Sequence, residues 1–135
     1  MSVTVIHANL FSQDISSHKW QDRVLIIFAE EEGGHLLKKQ MEMLQSDEEG
    51  LEDRKLVIYS VNGSAYRKGI QSDQWISGSD TFRKFIDAGD KFKVILIGLD
   101  GGIKIRQNEV LTLDKLFSTI DAMPMRRNEL RVRNQ

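Results

Sequence analysis

A chain of 135 residues, 40% hydrophobic and 29% charged, has the size and balance of one soluble globular domain and no room for a second independent core. With 19 Lys and Arg against 20 Asp and Glu, the formal charge is -1 and the pI near 6.3, so no overall field draws the chain to nucleic acid or an anionic membrane. The sequence has no cysteine, which removes disulfides, thiolate nucleophiles, thiolate metal ligands and thiol redox cycles together.

Residues 1–19 read as an N-terminal extension, compatible with an extra strand, ahead of a single domain over 20–135. The first ten residues lack the basic-then-apolar order of a secretion leader. No apolar run approaches the roughly 18 residues that span a bilayer, so membrane insertion is not expected. Residues 24–29, Val-Leu-Ile-Ile-Phe-Ala, are apolar on both faces and predict a central strand, with Trp20 plugging its base. From 35 to 46, Leu36, Leu37, Met41 and Leu44 recur at helical spacing. Gly50, after Asp47, Glu48 and Glu49, predicts the stop of that helix, with the acidic triplet unfavourably placed at its negative end. Residues 55–61 give a second strand, parallel to the first across the helix.

Periodicity vanishes over 62–78, where Gly63, Gly69 and Gly78 sit among Ser, Gln and Asp, and a long surface loop is expected. Ser79 or Asp80 caps a second helix carrying Phe82, Phe85 and Ile86 on one face, with Gly89 as its stop. Residues 92–99 form a third strand. Asp100-Gly101 then predicts a hairpin with both central residues at positive φ, into an edge strand that carries Lys104 and Arg106 outward. Thr112 caps the last helix, with Leu113, Leu116, Phe117 and Ile120 buried, and Pro124 breaks it. Met123 and Met125 are expected in packing, and Asp121 to pair with Arg126 or Arg106.

The order β-α-β-α-β-β-α is that of an α/β, thioredoxin-like fold: a central mixed four-stranded sheet flanked by helices. Particular wording adds to this. Trp20 to Leu25, Gln40 and Leu44, Arg54, the Leu96 to Gly102 hairpin and Ile-Asp-Ala-Met-Pro-Met-Arg over 120–126 make the chain resemble the DUDES group from Trp20 to about Glu129. This is a domain of unknown function shared by sushi-repeat-containing extracellular proteins, a coiled-coil-domain matrix protein and small bacterial proteins. Leu99 stands where that group is expected to carry lysine, so no cationic role carries over there. The resemblance implies a thioredoxin-like scaffold without an established enzymatic activity, in proteins often secreted or exported to the periplasm, and it supplies no catalytic residue.

A redox thioredoxin places its thiol just past the first strand, at the start of the first helix. Here that stretch is Glu30-Glu31-Glu32-Gly33-Gly34-His35, and Lys91 and Phe92 occupy the approach where a cis-proline would stand. Thiol oxidoreductase and peroxidase activities are therefore excluded. Glu31, Glu32, Gly33, Gly34 and His35 form a candidate pocket. An anion on the glycine N–H groups would be repelled by the glutamates, while Glu31 or Glu32 with His35 is a candidate acid–base pair. His7, His18 and His35 are too scattered for a zinc site, and neither metal nor cofactor is expected. Tyr66, Arg67, Lys68 and Trp75 on the loop, with a basic strip of Lys104, Arg106, Arg126 and Arg127, have the composition of a contact surface. The leading expectation is a non-enzymatic module that binds a protein or glycan. A non-thiol enzyme at Glu31, Glu32 and His35 is the alternative, and edge pairing through 102–106 into an oligomer is a third.

Overall fold

The computed structural model describes residues 15–31, 34–71 and 73–134; Glu32, Gly33 and residues 1–14, to which the expectation of an extra strand refers, lie outside them. A six-stranded mixed sheet runs in the order β4 (Ile76–Ser77), β3 (Ala65–Lys68), β2 (Leu56–Asn62), β1 (Arg23–Ala29), β5 (Phe92–Ile97), β6 (Ile103–Gln107). Its central strand β1 (Arg23–Ala29) pairs parallel with β2 (Leu56–Asn62) and antiparallel with β5 (Phe92–Ile97). Alternation along β1 sorts two cores: Leu25 and Ile27 face α1 (His35–Gln45), α2 (Glu48–Asp53) and α3 (Leu113–Asp121), while Val24 and Ile26 face Tyr59, Tyr66, Phe82 and Phe85. Burial on both faces is why β1 and β5 read as unbroken apolar runs.

Gly50 does not stop α1. Asp47 caps a new helix, accepting the Gly50 N–H at 3.0 Å, and Glu48 and Glu49 occupy the first turn of α2. There the acidic triplet meets the positive end of the dipole, the reverse of the sequence expectation. Gly50 leaves room for its neighbours: a Cβ would lie 2.6 Å from Asp47 Oδ2 and 2.9 Å from Phe117 Cζ, so the capping carboxylate and the ring would have to shift. Gly50→Ala is therefore expected to destabilise, although alanine is the better helix former by roughly 1 kcal/mol. A rise in urea midpoint on this substitution would contradict the packing.

The stretch 62–78 is a hairpin rather than a loop. Here β3 (Ala65–Lys68) pairs antiparallel with β2, and the two-residue β4 (Ile76–Ser77) adds to β3. These strands enlarge the expected four-stranded sheet to six. Asp80–Phe85 is a 3-10 helix, ending before Gly89, whose positive φ belongs to a later turn. Ser79 makes no side-chain cap; its hydroxyl donates to the Gly63 carbonyl at 2.7 Å. The β5–β6 connection also differs: Gly101 N–H donates to the Gly98 carbonyl, and of Asp100 and Gly101 only Gly101 has positive φ. A three-residue turn closes the hairpin into β6 (Ile103–Gln107), with Leu99 buried in it. Trp20 does not plug β1: it is 60% exposed, and its backbone N–H donates to the Leu99 carbonyl.

Pro124 opens α4 (Pro124–Arg133) at the first helical position, where its missing N–H costs nothing. Arg126 is the sole buried residue of α4, so charge rather than apolar area seats this helix. Arg126 donates from Nη2 to Asp53 at 2.6 Å and from Nε to Asp121 at 3.1 Å, and Asp121 also accepts two bonds from Arg54. Fully buried Arg23 reaches Glu129 at 3.1 Å. The expected Asp121–Arg126 pair is thus present, with Arg54 as the further partner. Met123 packs against the core, whereas Met125 is 40% exposed, contrary to expectation.

Candidate functional site

At the C-terminal end of β1 the Glu30 N–H donates to the Lys91 carbonyl at 2.9 Å, tying the exit of β1 to the approach of β5. Gly34 is the N-cap of α1 and supplies no side-chain cap. Its lack of a Cβ lets it approach the Glu31 carbonyl, which a Cβ would meet at 3.1 Å. Between these segments lies a cleft of about 370 Å³. Ala29, Leu37 and Phe92 form its apolar floor, Leu36 stands 41% exposed at its side, and Glu31, His35 and Lys91 bring charge to it. Glu31, Gly34 and His35 therefore line one concavity. Among the described residues no hydrogen bond joins Glu31 to His35, no peptide bond is cis, and no metal-competent group of three acidic or histidine side chains occurs. The cleft holds neither half of a thiol-exchange apparatus; what it offers is an apolar floor with mixed charge around it.

The other expected surface divides into separate places. Arg67 lies over Trp75, its guanidinium carbon 4.8 Å from the ring centroid, with Lys68 exposed nearby on β3. Tyr66 is not on that surface: it is 1% exposed and packs its ring on Tyr59 and Phe82. Burial raises the Tyr66 phenol above its ordinary range. Lys104 and Arg106 are exposed on β6, at the opposite edge of the sheet, where Lys104 is engaged by Asp100 at 3.1 Å. Arg127 is exposed on α4, but Arg126 is 2% exposed and committed to its carboxylates. Alternation along β3 and the packing of α4, neither visible in a composition, remove Tyr66 and Arg126 from any contact surface.

One constellation escaped the sequence reading. His18 Nδ1 lies 2.8 Å from Asp22 Oδ2, and His18 Nε2 lies 2.7 Å from the Tyr59 hydroxyl. The i,i+4 spacing of His18 and Asp22 was legible; Tyr59, 41 residues further on, was not. With Asp22 holding the proton on Nδ1, Nε2 accepts from the tyrosine hydroxyl. Desolvation first, then the neighbouring Tyr66 and Asp22, push Tyr59 up to about 12, so its hydroxyl keeps its proton at neutral pH. The arrangement latches the N-terminal 3-10 turn to β2.

Strand order, helix placement and this thiol-free cleft define a cysteine-free thioredoxin-like domain. Among solved structures the chain is similar to the reduced 2-Cys peroxiredoxin of Plasmodium vivax, at 12% identity over 84% of this chain and 72% of that one, with a TM-score of 0.60. At that identity the likeness speaks of fold alone. The family model for the domain of unknown function DUF4174 matches residues 14–129, and the chain belongs to that family. No curated protein matches it.

Proposed function

We propose that this domain is a redox-inactive interaction module that binds a protein or glycan partner at the cleft between the end of β1 and the start of α1. The observation that carries this reading is the cleft itself: where a thioredoxin-like protein would hold its thiol, the chain has an apolar floor and exposed Leu36 but no sulfur nucleophile. An apolar floor with charged residues around it has the anatomy of a contact site, an apolar centre inside a polar rim. The resemblance of Gln40, Arg54 and the Met-Pro-Met-Arg segment to the DUDES group, which has no established enzymatic activity, supports it too. Peptide and glycan arrays probed with the parent chain test it. Binding is expected to fall at least about tenfold in Leu36→Glu and to persist in Trp75→Ala and Arg127→Ala. The reverse pattern would move the site to the β3–β4 edge or α4.

A second reading, a non-thiol enzyme, is favoured by one specific observation: Glu31 and His35 line the same cleft beside Lys91. His35 would then act as the acid–base group. Retained binding with lost conversion in His35→Ala would distinguish this enzyme from the module.

A further inference from the structure

Beneath the N-terminal 3-10 turn lies another cavity, of about 200 Å³, independent of the cleft above. Its walls are apolar where the sheet and the second 3-10 helix meet, at Ile15, Val24, Phe85 and Ile97. The charged groups lining it are Lys19, Lys84, Asp22 and Asp100, together with His18. The two carboxylates are engaged: Asp22 by His18 at 2.8 Å, and Asp100 by Lys104 at 3.1 Å and by the Gly102 N–H at 2.9 Å. His18 has no free nitrogen, since Tyr59 takes the other. Among the described residues Lys19 and Lys84 form no ion pair; their ammonium groups lie 5.7 Å from the Trp20 and 5.1 Å from the Phe85 ring centroid. With Asp100 neutralised by Lys104, the two lysines exceed the remaining charge of Asp22.

We propose that this cavity binds a small monocarboxylate with a short apolar chain, its carboxylate at Lys19 and Lys84 and its chain against Ile15, Val24, Phe85 and Ile97. Charge complementarity selects the head group. Apolar walls select a tail, because a bare anion would desolvate beside them without compensation. Size excludes a large ligand, since drug-sized molecules occupy sites of roughly 300 Å³ and more.

Titration of the full chain with hexanoate, hexylammonium and inorganic phosphate, followed by amide chemical shifts, tests the assignment. Hexanoate is expected to shift Ile15, Val24, Ile97 and Gly98 saturably, hexylammonium to leave them unmoved, and phosphate to bind at least about tenfold more weakly. Charge reversal in the K19E/K84E double variant is expected to abolish the hexanoate response and admit hexylammonium. The proposal is overturned if hexanoate produces no saturable shift at these amides, if hexylammonium or phosphate matches it, or if the double variant binds hexanoate as the parent does.

Discussion

Replacing Arg126 with alanine is expected to lower the unfolding free energy by about 3 kcal/mol. Loss of one partner from a buried ion pair costs roughly 3–5 kcal/mol, and Arg126, at 2% side-chain exposure, serves Asp53, Asp121 and Glu129 together. The lower end applies because Asp53 and Asp121 keep 39% and 36% of their side-chain surface exposed and recover part of their hydration. Lysine at this position restores charge but not the planar fork that reaches two carboxylates, so Arg126→Lys is expected to recover less than half of the loss. The urea midpoint reads the effect, and hydrogen exchange over 124–133 reads whether α4 detaches first. A change below about 0.5 kcal/mol, the range of an ordinary surface substitution, would show that α4 is held by something else.

The same clasp makes the fold acid-sensitive. Hydrogen bonds from Arg126 and Arg133 hold Asp53 below the usual carboxylate range. At Asp121, partial burial pulls upward, but hydrogen bonds from Arg54 and Arg126 outweigh it and the net direction is down. Carboxylates lowered in the folded state stabilise it fully above their unfolded value of about 3.9, and that stabilisation fades as pH falls through the folded values. Removing Arg126 therefore flattens the loss of stability below about pH 4.

Gln40→Leu is the second large effect, expected at about 3 kcal/mol or more. Gln40 is fully buried on α1; its Nε2 donates to the Leu111 carbonyl at 2.9 Å and its Oε1 accepts the Leu111 N–H at 2.7 Å. Leucine fills a similar volume but strands both backbone groups, each at roughly 1–3 kcal/mol. Gln40→Glu separates the two bonds: an ionised glutamate still accepts the N–H but faces the carbonyl oxygen. That contact raises its folded pKa, so the variant should be most stable below the unfolded glutamate value of about 4.3 and lose stability as pH rises through the folded one. Urea midpoints at pH 4 and 7 check both substitutions. A leucine variant as stable as the parent would mean that Leu111 finds other partners.

These two residues show where the sequence was legible and where it was not. β1 and β5 were readable because burial on both faces leaves continuous apolar runs, β2 because it is rich in β-branched and aromatic residues, and α1 because its apolar residues repeat at helical spacing. The β3–β4 hairpin was not: its pairing depends on β2, and Tyr66 and Ile76 anchor it in the second core. Gly50 misled because an acidic triplet and a glycine read as a failing helix end, while the same charges favour a beginning. Arg126 read as part of a basic strip as well as a partner of Asp121, because Asp53, which completes its burial, lies 73 residues away in the chain. The cleft was foreseeable from the fold, since any thioredoxin-like topology brings the end of β1 to the start of α1; its floor of Ala29, Leu37 and Phe92 emerges only when β5 is set beside β1.

Binding and catalysis part most directly in the fate of a ligand captured by the arrays. Incubated in large molar excess over the protein and then weighed by mass spectrometry, a bound ligand is expected to return unchanged in mass and amount. Conversion of many equivalents per protein molecule would contradict an interaction module.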